Sequence, residues 1–384
     1  MAGIYVHIPF CQSKCFYCDF ASQVSSQETI EQYLQALIQE MAFYAQDQRV
    51  QGRSFESLFI GGGTPSVLSE NQLHRLFQAI FYHFNFVEGF EATLEANPGS
   101  LTESKIRIAQ SYGIQRFSLG IQSFEDTLLK KIGRGHTAQV ARETMGALQQ
   151  CRVQNWNIDF IYGLPGQSLE QWQQTLQEAI AWQPTHLSLY NLIVEENTPF
   201  GQMQKQGRLR LPEEEEQLHM MSLANTLASK AGYKHYEISN YCKPGFECRH
   251  NLIYWQNREY LGLGLAAYSY LNQHRFSHTA DLKQYLKHWQ IHHTPLVSED
   301  EVCTPEIERT ETILMGLRLL EGISYQEMDQ RFHIDFRKAY EEAITSNLNN
   351  GWLEETLDGR LRLTPTGVPL SNQVLIKFLK EEWL

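Results

Sequence analysis

Short apolar runs alternate with longer amphipathic stretches from the N-terminus to about residue 232. The short runs Ile4–Ile8, Ser57–Ile60, Glu91–Ala96, Arg116–Ile121, Asn157–Ile161 and His186–Tyr190 have the length and residue types of strands. Between them, stretches such as Thr29–Tyr44, Glu70–Phe81, Gln139–Cys151 and Leu169–Ala181 repeat apolar residues at helical spacing. Six strand–helix repeats predict an α/β fold with a parallel sheet, since each parallel crossover usually requires a helix. The count suits an open or partial (β/α)6 barrel better than the closed eight-stranded form.

The rhythm then breaks. Residues 236–275 are dense in aromatics, glycines and cysteines, and predict irregular structure packed on or beside the barrel. From about residue 301 three helices are predicted, Ile307–Leu319, Tyr325–Phe332 and Phe336–Asn347. A hairpin follows, Trp352–Thr356 and Arg360–Thr364, around the turn-favouring pair Asp358-Gly359. Three helices and a hairpin read as winged-helix-like. The expected organisation is a barrel over 1–235, an aromatic-rich region and linker over 236–300, and a winged-helix-like domain over 301–384.

Composition narrows the use of this fold. At 384 residues and 42% hydrophobic content, the chain can bury a large core. It has no basic start followed by an apolar stretch, and no run of the roughly 20 apolar residues that a membrane helix needs. The expectation is a cytoplasmic protein without membrane insertion. Net charge is −12, from 44 acidic and 32 basic residues, and no basic stripe offsets it. Residues 301–384 carry 15 acidic and 9 basic side chains, so nucleic acid is not the expected partner of the winged-helix-like part. The acidic run Glu213–Glu216 after Pro212 reads as the start of a solvated helix.

Of seven cysteines, three crowd into eight residues: Cys11-Gln-Ser-Lys-Cys15-Phe-Tyr-Cys18. A disulfide scaffold would spread its cysteines along the chain, so the crowding points to metal chemistry in a reducing compartment. The loop follows the first strand, at the end where such barrels place their chemistry. Three thiolates can hold three irons of a cubane and leave the fourth iron open. Spacing alone leaves two alternatives: a zinc site completed by a histidine such as His7, or three buried thiols acting as small hydrophobes. Glu95, Gln122 and Asp159 each fall near the end of a different strand, as ligand-holding groups of a barrel mouth do. Gly62 and Gly63 with Thr64 follow the second strand, where bare backbone can approach a ligand closely.

Tyr5-Val-His-Ile-Pro-Phe-Cys11 and Lys14-Cys-Phe-Tyr-Cys-Asp-Phe20 resemble the start of a radical S-adenosylmethionine family, that of the oxygen-independent coproporphyrinogen oxidases. The resemblance continues through Gly61-Gly-Gly-Thr-Pro-Ser66, Leu94-Glu-Ala-Asn-Pro98, Gly120-Ile-Gln-Ser-Phe124, Gly133-Arg134 and Ile158-Asp-Phe-Ile-Tyr-Gly-Leu-Pro-Gly166. It implies a [4Fe–4S] cluster on Cys11, Cys15 and Cys18. It also implies an S-adenosylmethionine site lined by Tyr5, Gly62, Gly63, Thr64, Glu95, Gln122, Arg134 and Asp159. The chemistry implied is one-electron reduction of the sulfonium, giving methionine and a 5′-deoxyadenosyl radical; the cofactors perform the hard step and the protein orients them.

Two branches of that family are relevant, the oxidases and the HemW-type heme chaperones. The oxidase branch carries a fourth cysteine where this chain has Phe20, and a longer segment before the cluster motif; both differences disfavour the oxidase. Cys248-Arg-His-Asn-Leu-Ile-Tyr-Trp255 resembles the His-Asn-x-x-Tyr-Trp motif of the chaperones, which implicates His250 in heme binding. Imidazole is a common axial ligand, and Tyr254 and Trp255 could pack on a porphyrin face. On residue type alone, one histidine among 14 in an aromatic stretch is more often a hydrogen-bonded core residue. Cys242 and Cys248 default to structural roles. The chaperone branch implies heme as cargo and respiratory enzymes as heme acceptors, with no coproporphyrinogen oxidase activity. A third reading, from another class, is a DNA-binding or scaffolding module built on the C-terminal part.

Overall fold

The structure is a computed structural model and describes residues 2–379. Six strands, β1 (Ala2–Ile8), β2 (Ser54–Gly62), β3 (Asn85–Ala96), β4 (Arg116–Gln122), β5 (Asn155–Tyr162) and β6 (His186–Asn191), pair in parallel in sequence order. Each expected apolar run lies within one of them. Alternate residues point to opposite faces. One set, including Ile4, Val6, Leu58, Ile60, Leu94, Phe117, Leu119, Ile158, Phe160 and Leu187, is buried in the main apolar core with the helices. The other set is polar and hydrogen-bonded across strands: Arg116 to Thr93, Asn157 to Ser118, and His186 and Ser188 to Asn157. A sheet with one greasy and one polar face, both buried, encloses a polar interior.

The helices Gln27–Tyr44, Glu70–His83, Glu103–Ser111, Ala138–Gln150 and Leu169–Ala181 begin at Ser26, Ser69, Thr102, Thr137 and Ser168. Each of these hydroxyl oxygens accepts a first-turn N–H that would otherwise lack a partner. The acidic run starts the helix Glu214–Lys230 as expected, with Glu213 and Glu216 closing a capping box.

The segment expected to be irregular continues the sheet at both edges. β7 (Lys234–His235) and β8 (Asn240–Cys242) add antiparallel strands beyond β6. On the other side β9 (Tyr260–Leu263) lies parallel to β1, followed by β10 (Tyr268–Leu271), β11 (His274–His278) and β12 (Val297–Val302), making twelve strands in all. The glycines that disguise these strands are needed for the pairing. A Cβ on Gly262 would collide with the Tyr268 carbonyl, and the Gly262 N–H donates to Ser269 Oγ at 2.9 Å. Between β8 and β9 the helix Arg249–Trp255 crosses the lower end of β1 and β2, bringing His250 to Ser57.

The C-terminal part has its own core, built on Ile313, Leu317, Phe336, Ile344, Leu361 and Val374. Among the described residues its helices are Pro305–Gly316, Tyr325–Phe332, Phe336–Ala339, Glu341–Asn349 and Ser371–Ile376. The single helix expected over 336–347 is broken at Tyr340, whose φ of −120° leaves the helical region. The hairpin strands Leu353–Glu355 and Arg360–Leu363 are joined by Ile323–Ser324 in a three-stranded sheet, which completes a winged-helix arrangement. This unit sits on the helix Arg249–Trp255. Asn257 Nδ2 donates to Glu308 O at 3.2 Å, Arg331 Nη2 donates to Asn257 O at 3.0 Å, and the Arg318 guanidinium lies 5.4 Å from the centre of the Trp255 ring.

Among the described residues Trp172 is one of two tryptophans buried completely in the main core, and its indole N–H donates to Met220 O at 2.9 Å. Trp172→Ala removes that volume and leaves a carbonyl unpaired, so urea unfolding is expected to show a loss of about 3–5 kcal/mol.

A candidate cofactor site at the mouth of the sheet

After β1 the chain forms a loop closed at its base by Gln23. The Gln23 N–H donates to Pro9 O at 2.8 Å, and the Cys11 N–H donates to Gln23 O at 3.0 Å. Cys11, Cys15 and Cys18 sit within this loop as free thiols, Cys15 buried and the other two half-buried. Lys14 Nζ ties the loop internally to Phe20 O at 2.6 Å. The glycine turn after β2 lies directly against it: Gly63 N–H donates to Ile8 O at 2.9 Å and Thr64 N–H to Phe10 O at 2.8 Å. A Cβ on Gly63 would stand 2.7 Å from the Phe10 carbonyl, and Gly62 adopts φ +106°, a region that favours glycine.

A continuous chain of polar contacts joins two of the thiols. Thr64 Oγ1 donates to Cys11 Sγ at 3.5 Å and accepts from Asn97 Nδ2 at 2.7 Å. Asn97 Oδ1 accepts from Arg134 Nη2 at 2.6 Å, and Arg134 Nη1 donates to Cys15 Sγ at 3.6 Å. The two donors tie Cys11 and Cys15 to the segments that follow β2 and β4. Cys15, Thr64, Asn97 and Arg134 also line a cavity of about 300 Å³. Asn97 was not singled out from the sequence; its signal was its place in Leu94-Glu-Ala-Asn-Pro98.

The zinc alternative required a free nitrogen on His7. Both are taken: Nδ1 by Tyr5 Oη at 2.9 Å and Nε2 by Ala21 O at 2.8 Å. Among the described residues no three His, Cys, Asp or Glu side chains gather as ligands of one metal ion. A cubane instead takes each thiolate on a different iron, so the donor set on this loop fits it.

The two strand-end carboxyls, each half-buried, face the polar interior. Glu95 Oε2 accepts the Gly62 N–H at 3.0 Å; burial first, and then the nearby Asp159 charge, push its carboxyl up to about 8. Burial also raises Asp159, against hydrogen bonds from Asn157 Nδ2 at 2.7 Å and Ser118 Oγ at 3.2 Å. Two carboxyls held above their ordinary range favour a cationic ligand, which would stabilise both as carboxylates. S-adenosylmethionine, with its sulfonium and ammonium groups, meets that demand. Gln122, at φ +71°, has a buried Oε1 with no partner among the described residues, an acceptor left for a ligand donor. Its Nε2, together with Asn97 and Arg134, fills the space above Gly120 that a Cβ would occupy.

Tyr5, Gly62 and Glu95 also form one wall of a second cavity of about 630 Å³. Phe59, Tyr254, Trp255, Tyr260, Tyr268 and Met315 supply its aromatic and apolar remainder, with Phe20 at the rim. His250 is not among its walls. It is 1% exposed, its Nδ1 pairs with Ser57 Oγ at 2.8 Å, and its Nε2 pairs with Tyr254 Oη at 2.9 Å. Burial pushes the His250 imidazole down to about 3, so the ring is neutral.

Comparison with known proteins agrees with this geometry. Residues 5–179 match the radical SAM superfamily model, and residues 304–370 match the HemN C-terminal domain model. A protein of Lactococcus lactis named heme chaperone HemW is 37% identical over 98% of this chain and 97% of its own length. The chain belongs to the HemW family of radical S-adenosylmethionine proteins. A heme chaperone HemW of Bacillus subtilis is 33% identical, over 99% of this chain and 100% of its own. The solved structure of coproporphyrinogen III oxidase (HemN) from Escherichia coli matches 100% of this chain and 90% of its own, with a TM-score of 0.85 at 22% identity, which shows a shared fold.

Serine at Cys11, Cys15 or Cys18 is each expected to abolish iron and sulfide uptake on anaerobic reconstitution. The four remaining cysteines, Cys151, Cys242, Cys248 and Cys303, are buried elsewhere and cannot substitute. Gly63→Ala, which drives a methyl group into the Phe10 carbonyl, is expected to lower iron content while all three thiols remain. Full iron in any of the serine variants would contradict the ligand assignment.

Proposed function

We propose that this chain is a cytoplasmic heme chaperone. It holds a [4Fe–4S] cluster on Cys11, Cys15 and Cys18, and S-adenosylmethionine against Tyr5, Gly62, Gly63, Thr64, Glu95, Gln122, Arg134 and Asp159. Heme is its cargo, taken at the segment His250–Trp255 and passed to respiratory enzymes. The observation that carries this reading is the 630 Å³ aromatic cavity, which joins the Glu95 end of the sheet to Tyr254 and Trp255 of that segment. Its size and aromatic walls suit a flat macrocycle. The names of the full-length relatives support the same cargo.

When bound, the cluster and S-adenosylmethionine supply one-electron reductive chemistry. The chain's own residues do the rest. Thr64 and Arg134 donate to the thiol sulfurs, the glycine turn admits ligand backbone-close, Glu95 and Asp159 offer negative charge to a cation, and Phe20 helps close the cavity rim. Phe20 is 67% exposed and stands where the oxidase branch has a fourth cysteine, which separates this chain from the oxidase reading. The winged-helix unit, packed on the helix that carries His250, serves as docking or lid element toward a protein acceptor; its acidic balance does not suit DNA.

Heme titration of the anaerobically reconstituted protein tests this. Wild type is expected to bind heme, and His250→Ala to bind about tenfold or more weakly with its iron–sulfur content intact. No protoporphyrinogen is expected from coproporphyrinogen; its formation would establish the oxidase instead.

A further inference from the structure

A histidine that ligates iron needs a free nitrogen facing the porphyrin, and His250 has none. Its Nδ1 is held by Ser57 and its Nε2 by Tyr254, and its ring stacks on Phe59 with centroids 5.3 Å apart. Exposing Nε2 would require Tyr254 to leave it, and exposing Nδ1 would require Ser57 to do so. Tyr254 is placed differently. It is a wall of the 630 Å³ cavity together with Tyr5, Tyr260 and Glu95, and its ring meets that of Tyr260 edge-on with centroids 4.6 Å apart. Burial raises its phenol well above the ordinary range, so bond formation to iron would have to draw the proton off.

We propose that Tyr254 Oη is the atom that ligates ferric heme iron, and that His250 is a positioning residue that holds this oxygen from behind. The assignment rests on the heme-chaperone reading above and names the iron ligand within it. A phenolate is a hard, anionic oxygen donor suited to ferric iron, and tyrosine is an established proximal ligand in heme proteins. In the step that forms the bond, iron stays ferric. The iron–hydroxide bond breaks as the iron–oxygen bond to Tyr254 forms, and the phenol proton leaves with the hydroxide as water. A neutral imidazole can either accept from a phenol or donate to a phenolate, according to its tautomer. The Ser57 hydroxyl, which can likewise donate or accept, satisfies Nδ1 in both states.

Tyr260 and Tyr268, also walls of the cavity, lack an imidazole partner among the described residues. Tyr268 Oη donates to Glu299 at 2.9 Å, and Tyr260 Oη accepts from Arg275 at 3.4 Å. Tyr5 does have an imidazole partner, His7 Nδ1 at 2.9 Å, but it belongs to the Gly62 and Glu95 end, where S-adenosylmethionine is proposed to bind.

Electron paramagnetic resonance and resonance Raman spectra of the full-length protein with added ferric heme decide the matter. The oxidised cluster is diamagnetic, so it leaves the heme signal clear. Wild type is expected to give a high-spin ferric signal with phenolate vibrations. Tyr254→Phe should lose those vibrations, whereas Tyr5→Phe should keep them. His250→Gln should keep them at a shifted frequency and bind heme about tenfold more weakly, as removal of a supporting hydrogen bond does. A wild-type imidazole-type spectrum that disappears in His250→Gln would overturn the assignment, as would phenolate vibrations that survive Tyr254→Phe. The wild-type spectrum alone separates a phenolate from an imidazole ligand, so an imidazole spectrum overturns the assignment even if a variant fails to fold. A wild type that takes up no heme would refute the chaperone reading itself.

Discussion

The contact on which the rest of the site depends is the chain of donors from Thr64 through Asn97 to Arg134 that joins Cys11 to Cys15. Its members come from the cysteine loop, the glycine turn after β2, the end of β3 and the loop after β4. None of these segments can shift alone without breaking a part-buried hydrogen bond to a charged or polar group, and such bonds are costly to leave unmade. The glycine turn tightens the same joint, because its backbone donates to Ile8 and Phe10 on either side of Pro9. A loop carrying three thiols would otherwise be free to rearrange; here the sheet fixes it.

That joint borders a polar interior which the fold buries at some expense. Arg116 is buried with its Nε unpaired, Gln122 keeps an unpaired acceptor, and burial raises both Glu95 and Asp159. Groups in such a state are held for a ligand more readily than for stability. The stability comes from the opposite face of the same strands, where Leu58, Leu94, Leu119 and Phe160 pack on the helices. The aromatic cavity opens from the polar interior at Glu95 and reaches the helix Arg249–Trp255, whose position the winged-helix unit fixes through Asn257 and Arg331.

The six parallel strands were legible because apolar runs of strand length are bounded by helices with clear caps. The outer strands were not. β8 to β10 are three or four residues long, and their glycines and tyrosines read as loop until the Tyr268 carbonyl is seen against Gly262. That the cysteine loop follows β1 and that Glu95, Gln122 and Asp159 stand at or near strand ends was legible through motif and position. The surroundings of His250 could not be. Ser57 lies 193 positions away along the chain, and nothing in the motif says that it and Tyr254 occupy both imidazole nitrogens. Asn97 was hidden for a similar reason: its role depends on Thr64 and Arg134, brought together only by the sheet.

Three thiols on one loop leave one iron of a cubane open, and the two carboxyls and Gln122 wait for a cation with donors. The most direct measurement of that arrangement is the electron paramagnetic resonance spectrum of the reduced cluster, titrated with S-adenosylmethionine. The cofactor is expected to change the wild-type signal by occupying the open iron. Asp159→Ala and Gln122→Ala are expected to shift the titration to higher cofactor concentration with iron content unchanged. A wild-type signal that stays the same at saturating S-adenosylmethionine would contradict the assignment of this site.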